Sequence, residues 1–393
     1  MKRVLSIATL YPNSHTPQFG TFVARSMEAL AARGDWDVTL INPIGIPPVL
    51  LGKYRALAAC AVGGIENGVH VYRPTFKLIP KLGARFNPAL ITRSVIGLAK
   101  RLHAENPFDL VDAQFFYPDG PAAARIGREL NLPLSIKARG SDISYWGHRP
   151  FARRKMVAAS RQAAGLLAVS EALADDMAQL GMDRARITIN RTGLDRDRFR
   201  PLDHAGIRRH LGDEIGVHLP DGSPLLATVG ALNERKGQEL VIASLPQVPD
   251  AQLLLVGSGE DRGRLEALAR TLAISDRVHF LGAVDHDLMP VILSAADAMV
   301  LPSSNEGLAN AWVEALACGT PLVICDAGGA RELVTSPDAG VIVERSVEGV
   351  AAGILQILAN PPAPEAVAKM ADQFSWAANA ASLAEYYSRI IRA

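Results

Sequence analysis

The sequence predicts an α/β protein built from two doubly wound, Rossmann-like domains in tandem. Short apolar runs alternate with segments of helical periodicity along almost the whole chain of 393 residues. This alternation is typical of parallel sheets with helices on both faces. The chain is longer than one ordinary core allows, and a segment rich in Asp, Arg and Pro near position 200 separates two sets of runs. We therefore expect a first domain over residues 1–199 and a second over residues 200–375.

Ten apolar runs are predicted to form buried strands. They read RVLSIATL, DVTLINPI, FDLVDAQ and LPLSIKA in the first half, and LLATVG, AQLLLVG, RVHFLG, AMVLPS, TPLVICD and AGVIVE in the second. Between them, segments such as FVARSMEALAARG, EDRGRLEALARTLAI and SVEGVAAGILQILAN carry apolar residues at helical spacing. The start, MKRVLSIATL, is interpreted as a strand and not as a signal peptide, because its apolar stretch covers only Val4 to Leu10.

The net charge of +1 conceals an uneven distribution of charge. Residues 1–199 contain 27 Lys and Arg against 16 Asp and Glu, whereas the remainder contains 14 against 24. This asymmetry indicates that the basic half faces an anionic partner. Three cysteines at no ligand spacing argue against a disulfide framework and fit a reducing cytosol. No apolar run reaches the roughly 18 residues that a membrane-spanning helix needs.

Two adjacent cations lie where the chain leaves the first strand of the second half. In VGALNERKGQEL, Arg235 and Lys236 follow a predicted strand and precede a helix, a position that suits a diphosphate. A solvated turn is the alternative. The segment is not a P-loop, since it lacks the G-x-x-x-x-G-K-[ST] pattern. Gly257 and Gly259 form a G-x-G, but no suitable acid follows about 20 residues later, so a nicotinamide dinucleotide is disfavoured.

A pair of glutamates flanks the start of a later predicted helix. In SSNEGLANAWVEALACGTP, Glu306 lies in the loop before the helix and Glu314 lies within it. The loop and helix start offer backbone N–H groups for a phosphate, and the two carboxylates can accept hydrogen bonds from sugar and ribose hydroxyls. The alternative is a capped helix with one satisfied buried acid.

An ordered set of motifs resembles the retaining glycosyltransferases of family 4, which have the two-domain GT-B fold. The E-x7-E spacing is followed by ALACGTPLV and GGARELV, and PQFGTFV, VSEALADDMAQLG, GLDRDRFRP, VGALNERKG, LLLVGSGE and RVHFLGAV precede it in the family's order. The last segment, FSWAANAASLAEYYSRI, resembles the helix that crosses back to the first domain in this family, so residues 376–393 are expected to pack there. The type that the chain resembles is the bacterial surface or exopolysaccharide enzyme.

The resemblance implies a role for each candidate residue. Lys236 and Arg235 would hold the donor diphosphate, Glu306 would bind hydroxyls of the transferred sugar, and Glu314 would bind the nucleotide ribose. Loop amides of Gly307, Leu308, Ala309 and Asn310 would hold the phosphates and the sugar. Backbone near Ala283 and Val284 would contact the base, and Gly20 and Thr21 would close onto the diphosphate. No metal or other cofactor is expected. The D-x-D pairs at Asp195/Asp197 and Asp285/Asp287 are interpreted as linker and helix-cap residues.

The acceptor side departs from the family pattern. Many members carry histidines where Asp112, Gln114 and Arg139 occur here, so a histidine-dependent step is not expected. Arg139 and Asp142 are predicted at a strand end facing a central cleft, where Arg139 could contact the donor phosphate or an anionic acceptor. A simple ion pair between Arg139 and Asp142 is equally compatible with the sequence.

Basic residues interleave with apolar ones in two parts of the first half. The first set comprises Arg73, Lys77, Lys81, Arg85, Arg93, Lys100 and Arg101, and the second run reads YWGHRPFARRKMVAASR. Basic residues mixed with aromatic ones suit an anionic membrane surface. They would also suit nucleic acid, but the family resemblance favours the membrane because many members use lipid-linked acceptors. The alternative is a solvated helix face.

These observations together predict a cytoplasmic enzyme that is peripheral at the inner face of the plasma membrane. It would move a sugar from a UDP- or GDP-linked donor to a glycan or lipid-linked glycan acceptor, on the same face as the leaving diphosphate. Cations and loop amides would stabilise the charge on that diphosphate. Two alternatives remain: a nucleotide-sugar enzyme without transfer, such as a hydrolysing epimerase, and an inactive nucleotide-sugar-binding module.

Overall fold

The computed structural model describes residues 1–49, 52–79, 83–285 and 287–392. The chain forms two compact units, one from Met1 to Gly193 together with the segment from Trp376 onward, and one from Leu194 to Ser375. The sequence placed the boundary six residues later. Residues 194–199 belong to the second unit because Arg196 and Arg198 form ion pairs there with Asp372 and Asp287.

The first unit alternates strands and helices from its start. Its strands are β1 (Lys2–Ile7), β2 (Trp36–Ile41), β3 (Ile44–Ile46), β4 (Gly64–Glu66), β5 (Val69–Tyr72), β6 (Thr75–Lys77), β7 (Leu110–Ala113), β8 (Leu134–Lys137), β9 (Gly165–Ala168) and β10 (Ile187–Ile189). Its helices up to the boundary are α1 (Thr21–Ala32), α2 (Lys53–Ala59), α3 (Asn87–Glu105), α4 (Asp119–Leu130), α5 (Pro150–Gln162) and α6 (Glu171–Gln179). A π-helical turn covers Asp142–Trp146.

The second unit repeats the alternation. Its strands are β11 (Leu225–Val229), β12 (Gln252–Val256), β13 (Val278–Gly282), β14 (Ala298–Leu301), β15 (Leu322–Cys325) and β16 (Gly340–Val343). Its helices are α7 (His204–Ile215), α8 (Gln238–Ser244), α9 (Arg262–Thr271), α10 (Met289–Ala295), α11 (Asn310–Ala317), α12 (Ala330–Leu333), α13 (Val347–Ala359) and α14 (Pro364–Lys369).

Both units are built on parallel sheets. The larger sheet of the first unit has the order β10-β9-β8-β7-β1-β2-β5-β4, and within it only the β4–β5 pair is antiparallel. Strands β3 and β6 pair separately. The sheet of the second unit has the order β13-β12-β11-β14-β15-β16, with all its pairs parallel. The predicted fold class is confirmed.

The central strands read as continuous apolar runs because helices cover both faces of each sheet. Every residue of β7, β8, β9, β11, β12, β14 and β15 is buried, as expected for parallel strands inside an α/β layer structure. All ten predicted strands are present. The sequence analysis missed β3–β6, β9 and β10, which are only three or four residues long and carry little periodic signal.

The last helix, α15 (Trp376–Arg392), belongs to the first unit. It packs on α1, where Ser26 Oγ donates a 2.7 Å hydrogen bond to Asn379 Oδ1, and the rings of Trp36 and Tyr387 lie 5.5 Å apart. A Cβ atom at Gly193 would lie 2.3 Å from the ring of Trp376. The backbone that follows β10 is therefore in direct contact with the start of α15. Of the predicted span 376–393, residue 393 lies outside the described residues.

Within the described residues, no helix combines the length and the apolar character that crossing a membrane requires. Cys60, Cys318 and Cys325 are all buried free thiols.

Candidate active site

The order of strands reverses beside β11 in the second unit. The chain runs outward from β11 to β12 and β13, then returns to β14 on the other side of β11. At such a switch point the loops that follow the two neighbouring strands diverge and leave a crevice at the carboxyl edge of the sheet. The loop after β11 carries Arg235 and Lys236, and the loop after β14 carries Glu306.

These three side chains meet at one carboxylate oxygen. The Lys236 ammonium lies 2.5 Å from Glu306 Oε1, and Arg235 Nη1 lies 3.0 Å from the same atom. Arg235 also donates to the carbonyl of Asn305 at 2.5 Å. The side chains of Lys236 and Glu306 are only 11% and 10% exposed, whereas that of Arg235 is 43% exposed. The structure therefore brings together three predicted residues that are separated by 70 positions in the sequence.

The cluster carries a net positive charge in a mostly buried place. Burial lowers the pKa of Lys236, and the adjacent carboxylate of Glu306 opposes that shift. An ammonium has three N–H donors, and Glu306 occupies one of them, so two remain for an anionic ligand. One carboxylate shared by two cations leaves an excess of one positive charge, which suits a diphosphate.

Glycines allow the two loops to approach each other. Gly237 adopts a left-handed conformation (φ +74°), and a Cβ atom there would lie 2.5 Å from the carbonyl oxygen of Pro302. The aliphatic stem of Lys236 packs on Gly230, where a Cβ atom would lie 3.4 Å from Lys236 Cε. Gly237, the residue after Lys236, therefore lets the loop after β11 pack against the loop after β14.

Arg345, which the sequence analysis did not single out, ties the same two loops together. From its position after β16 it donates to the carbonyl of Pro302 and to the carbonyl of Glu234, each at 3.0 Å. Ser304 N completes the connection with a 2.8 Å hydrogen bond to Arg235 O. Arg345 is exposed and lies outside the motifs quoted above, so the sequence does not indicate that it joins these two loops.

The GGARELV segment supports Glu306 from the other side. Gly329 N donates to Gly307 O at 2.8 Å. Gly328 has a φ of +52°, and a Cβ atom there would lie 2.0 Å from the carbonyl oxygen of Glu306. Only a glycine fits under the Glu306–Gly307 peptide, so this segment sets the position of the carboxylate.

Helix α11 begins at Asn310, three residues after Gly307. Its N-cap residue, Ala309, makes no side-chain hydrogen bond to the first turn, which begins at Asn310. Leu308 and Ala309 are nearly buried, with 7% and 8% exposure. A helix start without a side-chain cap, next to two cations, is suited to bind an anion through backbone N–H groups.

Glu314 lies in the second turn of α11, in surroundings unlike those of Glu306. Its neighbours along the helix, Val313 and Ala315, are fully buried. Burial raises the pKa of Glu314 to about 7, and the nearby Arg198 partly opposes the shift. The two glutamates thus differ in their surroundings, because apolar neighbours flank Glu314 whereas two cations hold Glu306.

Ala283 and Val284 directly follow β13, the edge strand of the sheet. Val284 lines a cavity of about 600 Å³ along β13, together with Phe280 and Arg262, whose guanidinium lies 5.7 Å from the Phe280 ring. Two strand spacings separate β13 from β11, or about 10 Å. The predicted base contacts therefore lie at the same carboxyl edge as the cation pair but apart from it, as the two ends of a nucleotide diphosphate would.

Gly20 and Thr21 lie at the corresponding edge of the first unit. Strand β1 is the switch point there, since β2 lies on one side of it and β7 on the other. Gly20 is the N-cap of α1, with a φ of +77°, and Thr21 begins the helix. A Cβ atom at Gly20 would lie 2.5 Å from the backbone of Leu10, so the loop after β1 can fold onto the start of α1 only with glycine.

Asp142, predicted at a strand end facing a cleft, lies instead at the start of the π-helical turn with its side chain inside the unit. It is fully buried, and its carboxylate accepts hydrogen bonds from the backbone N–H groups of Phe116 (2.8 Å), Gly140 (2.8 Å) and Arg139 (3.0 Å). The Arg139 guanidinium binds the carbonyl of Gln114 at 2.9 Å and the Gln114 side chain, and lies 4.9 Å from the ring of Phe22. Asp142 thus organises the loop, and the predicted contact between the two residues runs through the backbone.

Asp112 and Gln114 lie in a buried polar cluster. Asp112 and Gln114 are fully buried, and Asp112 accepts hydrogen bonds from Gln114 Nε2 (2.5 Å) and Ser6 Oγ (3.1 Å). Burial raises the pKa of Asp112. Lys137, which the sequence analysis did not single out, is also fully buried, and burial lowers its pKa well below the usual value while its ammonium binds Asn190. Asp112 Oδ2 is thus bonded to Ser6 and Gln114, whereas its buried Oδ1 has no hydrogen-bond partner among the described residues.

The D-x-D pairs have partners of other kinds. Asp287 forms an ion pair with Arg198, and its backbone N–H donates to Asp285 Oδ1 at 2.9 Å, a local turn. Asp195 Oδ1 accepts from Arg198 N at 3.3 Å. In the part of the chain that the structure describes, no group of three or more His, Cys, Asp or Glu side chains is arranged to hold a metal ion.

Two family models match this chain, one in each half. A model described as Glycosyl transferase 4-like domain matches residues 19–193, and one described as Glycosyl transferases group 1 matches residues 214–374. The chain is 28% identical to a putative teichuronic acid biosynthesis glycosyltransferase, TuaC, of Bacillus subtilis over 99% of both chains.

A second relative aligns over part of its length. It is a GDP-mannose-dependent monoacylated alpha-(1-6)-phosphatidylinositol monomannoside mannosyltransferase of Corynebacterium glutamicum, 37% identical over 43% of this chain. That alignment spans about half of the relative, 46% of its length.

Solved structures show the same fold over the whole chain. Sucrose-phosphate synthase from Thermosynechococcus elongatus has a TM-score of 0.81 at 21% identity, covering 100% of both chains. HepE of Anabaena, solved in complex with UDP and glucose, has a TM-score of 0.76 at 20% identity and covers 99% of this chain and 100% of its own.

Two doubly wound units, with a cationic cluster at the switch point of the second, define a glycosyltransferase of the GT-B class. The family matches in both halves and the full-length relative agree with this fold. The chain belongs to glycosyltransferase family 4, with a family 4-like N-terminal domain and a group 1 C-terminal domain, and it is a transferase.

Proposed function

We propose that this protein is a retaining glycosyltransferase that takes a sugar from a UDP- or GDP-linked donor and transfers it to a glycan or lipid-linked glycan acceptor. The observation that carries this proposal is the meeting of Lys236, Arg235 and Glu306 at one carboxylate oxygen in the crevice beside β11. The donor diphosphate would bind the two free donors of the ammonium, the guanidinium, and the backbone N–H groups at the start of α11.

The electrostatics of this cluster favour departure of a diphosphate. As the glycosidic bond breaks, negative charge grows on the leaving phosphate oxygen. Because Lys236 is 11% exposed, water screens it little, and its attraction to the developing charge increases as the bond breaks. Such stabilisation is greater in the transition state than in the ground state, so it accelerates the reaction. No metal or other cofactor is proposed to take part.

Substitution on the same face needs no nucleophile from the protein. In this proposal an oxygen of the departing diphosphate accepts the proton of the acceptor hydroxyl, which attacks from the same side. Glu306 is held 2.5 Å from Lys236 and would accept hydrogen bonds from hydroxyls of the transferred sugar. The buried, mutually bonded state of Asp112 and Gln114 supports a reaction that uses no side-chain base in the first unit.

The identity of the donor is drawn from related proteins. HepE was solved with UDP and with UDP-glucose, and the Corynebacterium relative is named as dependent on GDP-mannose. TuaC is named for teichuronic acid biosynthesis. These names support a nucleotide-diphosphate sugar and a polysaccharide or lipid-linked acceptor. On the acceptor side, Arg139 would contact the donor phosphate or an anionic group, with Asp142 fixing the loop that carries it.

We also propose that the enzyme is cytoplasmic and binds the inner face of the plasma membrane through the first unit. The two basic runs meet on one surface, the cationic aromatic surface, formed by Arg85, Phe86, Tyr145, Arg149 and Lys155. The Lys155 ammonium donates to the carbonyl of Arg85, and the Arg149 guanidinium lies 4.3 Å from the Tyr145 ring. Phe86 and Tyr145 are 52% and 53% exposed. Exposed aromatic rings beside cations suit an anionic lipid surface.

The membrane proposal is tested with vesicles. Charge reversal at Lys77, Lys81 and Arg85 should weaken binding to anionic vesicles; Lys81 lies outside the described residues. A matched triple reversal at exposed Arg209, Arg270 and Arg331 in the second unit should leave it unchanged. Equal binding of the wild type to neutral and anionic vesicles would exclude the proposal.

The donor proposal is tested with a panel of nucleotides. Thermal unfolding is measured with UDP, GDP, ADP and NAD, then with the matching sugar nucleotides, each with and without EDTA. Stabilisation by one nucleoside diphosphate that EDTA does not affect, with slow release of that diphosphate from one sugar nucleotide, is the expected result. Stabilisation by NAD alone would overturn the proposal, and binding without any turnover would favour the inactive module.

The two glutamates should separate in function. Glu314→Ala should mainly weaken nucleotide binding, because Glu314 is proposed to bind the ribose. Glu306→Ala should mainly lower turnover, because it removes the acceptor for the sugar hydroxyls and frees Lys236 and Arg235 from their shared partner. Wild-type activity in both variants would refute the assigned roles.

A further inference from the structure

A cavity of about 470 Å³ in the first unit has no role so far. Three segments line it: the loop after β1, the end of α2 with the residues that follow, and the β4–β5 hairpin with the residue after it. The lining residues are Pro12, Asn13, Ser14, Pro17, Ala59, Cys60, Val62, Glu66 and Arg73. Its volume lies in the range of about 300–1,000 Å³ that is usual for small-molecule sites.

Arg73 fastens the three segments together. Its side chain is only 6% exposed. One terminal nitrogen donates to Val62 O at 2.9 Å and to Glu66 Oε1 at 2.5 Å. The other donates to Pro12 O at 3.0 Å and to Glu66 Oε2 at 2.9 Å. The cavity is therefore pre-formed, because one buried guanidinium holds every wall.

The lining is polar but carries no net charge. Arg73 and Glu66 neutralise each other in a bidentate pair, and the Glu66 side chain, 37% exposed, can still accept further hydrogen bonds. Asn13 uses its Oδ1 to accept from the backbone N–H groups of His15 (3.0 Å) and Thr16 (2.9 Å), and these bonds leave its NH₂ group available to donate.

This combination matches a neutral sugar. A hydroxyl both donates and accepts, so it can pair with the carboxylate of Glu66 and with the amide of Asn13. The proline rings and the Val62 side chain offer apolar contact for the C–H face of a sugar ring. A phosphate or carboxylate ligand would instead meet the Glu66 carboxylate with no unpaired cation to offset it among the lining residues.

The position of the cavity connects it with the transfer reaction. The loop that forms one wall continues from Pro17 to Gly20 and Thr21, the residues predicted to contact the donor diphosphate. Three residues of extended chain span at most about 10 Å.

We propose that this cavity binds the terminal, uncharged sugar unit of the glycan acceptor. This inference rests on the proposed transferase function and adds the chemical class of the acceptor end. The Glu66–Arg73 pair and Asn13 would orient its hydroxyls.

Cavity-filling variants test this inference without removing any hydrogen bond of the wall. Val62 is 69% exposed and lines the cavity, so Val62→Trp should occupy it, and Ala59→Phe does the same from α2. Ile65→Trp is the matched control, because Ile65 lies on β4 next to Glu66, is 71% exposed, and is outside the lining. Thermal unfolding confirms that each variant is folded.

The probes are neutral methyl glycosides of glucose, galactose, mannose and N-acetylglucosamine, with the corresponding 6-phosphates and uronates, followed by ligand-observed NMR. We expect a neutral glycoside to bind the wild type and Ile65→Trp, and binding to fall at least tenfold in Val62→Trp and Ala59→Phe. Nucleoside diphosphate stabilisation should stay within twofold in apparent affinity in all four proteins.

The other outcomes would overturn either the assignment of the cavity or the proposed function. Unchanged glycoside binding in both cavity-filling variants, preference for the anionic probes, or binding of no neutral glycoside by the wild type would overturn the inference. Failure of the wild type to respond to any nucleoside diphosphate would refute the proposed function itself, and that result does not depend on the cavity.

Discussion

Gly328→Ala should disable the enzyme without unfolding it, because the new methyl group would collide with the backbone of Glu306. The added Cβ atom would lie 2.0 Å from the Glu306 carbonyl oxygen and 2.7 Å from the Gly307 oxygen. Carbon–oxygen contacts in proteins are about 3.3 Å or more. The Glu306–Gly307 peptide must therefore move by about 1.3 Å.

The size of the effect follows from that displacement. A misplacement of about 1 Å at a reacting centre can cost about 100-fold in rate, so kcat/KM should fall about 100-fold. The left-handed conformation at φ +52° adds about 1–2 kcal/mol of strain for alanine, and overpacking adds about 1–3 kcal/mol. The variant should be destabilised but folded, since Gly328 lies at a loop and not in the core.

The control separates strain from collision. Gly222 has a comparable φ of +78°, but nothing lies within 4 Å of a Cβ atom there, so Gly222→Ala carries only the conformational cost. Release of diphosphate from the donor sugar nucleotide is measured for both variants, with urea unfolding for stability. Equal turnover in Gly328→Ala and Gly222→Ala would refute the view that this glycine positions Glu306.

Two further predictions concern the same unit. Arg345→Ala should raise the KM for the donor about 30-fold, because it removes two hydrogen bonds of roughly 1 kcal/mol each that join the loops of Lys236 and Glu306. Arg331→Ala, which removes an exposed pair with Asp326, should leave steady-state kinetics unchanged, and equal KM values in the two variants would contradict this role. Glu314→Gln should raise stability relative to the wild type above pH 7. The folded pKa of about 7 exceeds the usual 4.5, so the wild type loses stability as pH rises between those values and glutamine does not. Urea unfolding at pH 5 and pH 8 measures this, and a difference that does not change with pH would exclude it.

The members of the polar cluster in the second unit could be predicted from the sequence, and the structure brings them into contact. Arg235, Lys236 and Glu306 were identified by residue type and by their positions after predicted strands. Parallel strands covered on both faces are continuous apolar runs, so their ends, and hence the functional edge of the sheet, can be located from the sequence alone.

The supports of that chemistry were not readable. Gly328 and Arg345 act on loops that are distant in sequence, through contacts of their backbone or guanidinium. Asp142 was predicted to face a cleft from a strand end, yet its carboxylate accepts hydrogen bonds from three backbone N–H groups inside the unit. A carboxylate at a strand end has the same sequence signature in either role, and only the path of the neighbouring loop distinguishes them.

The α/β fold class, the ten main strands and the residue types at the carboxyl edges follow from the amino-acid sequence, because periodicity and composition report burial and local geometry. Only the folded arrangement shows which strand ends lie side by side within a unit and which polar groups bond to one another. Strand order placed β14 beside β11 and so brought Glu306 to Lys236 across 70 positions. In the first unit, the packing of the loop after β1, the end of α2 and the β4–β5 hairpin encloses the cavity around Arg73. Such contacts depend on how distant loops pack, and no local pattern encodes that.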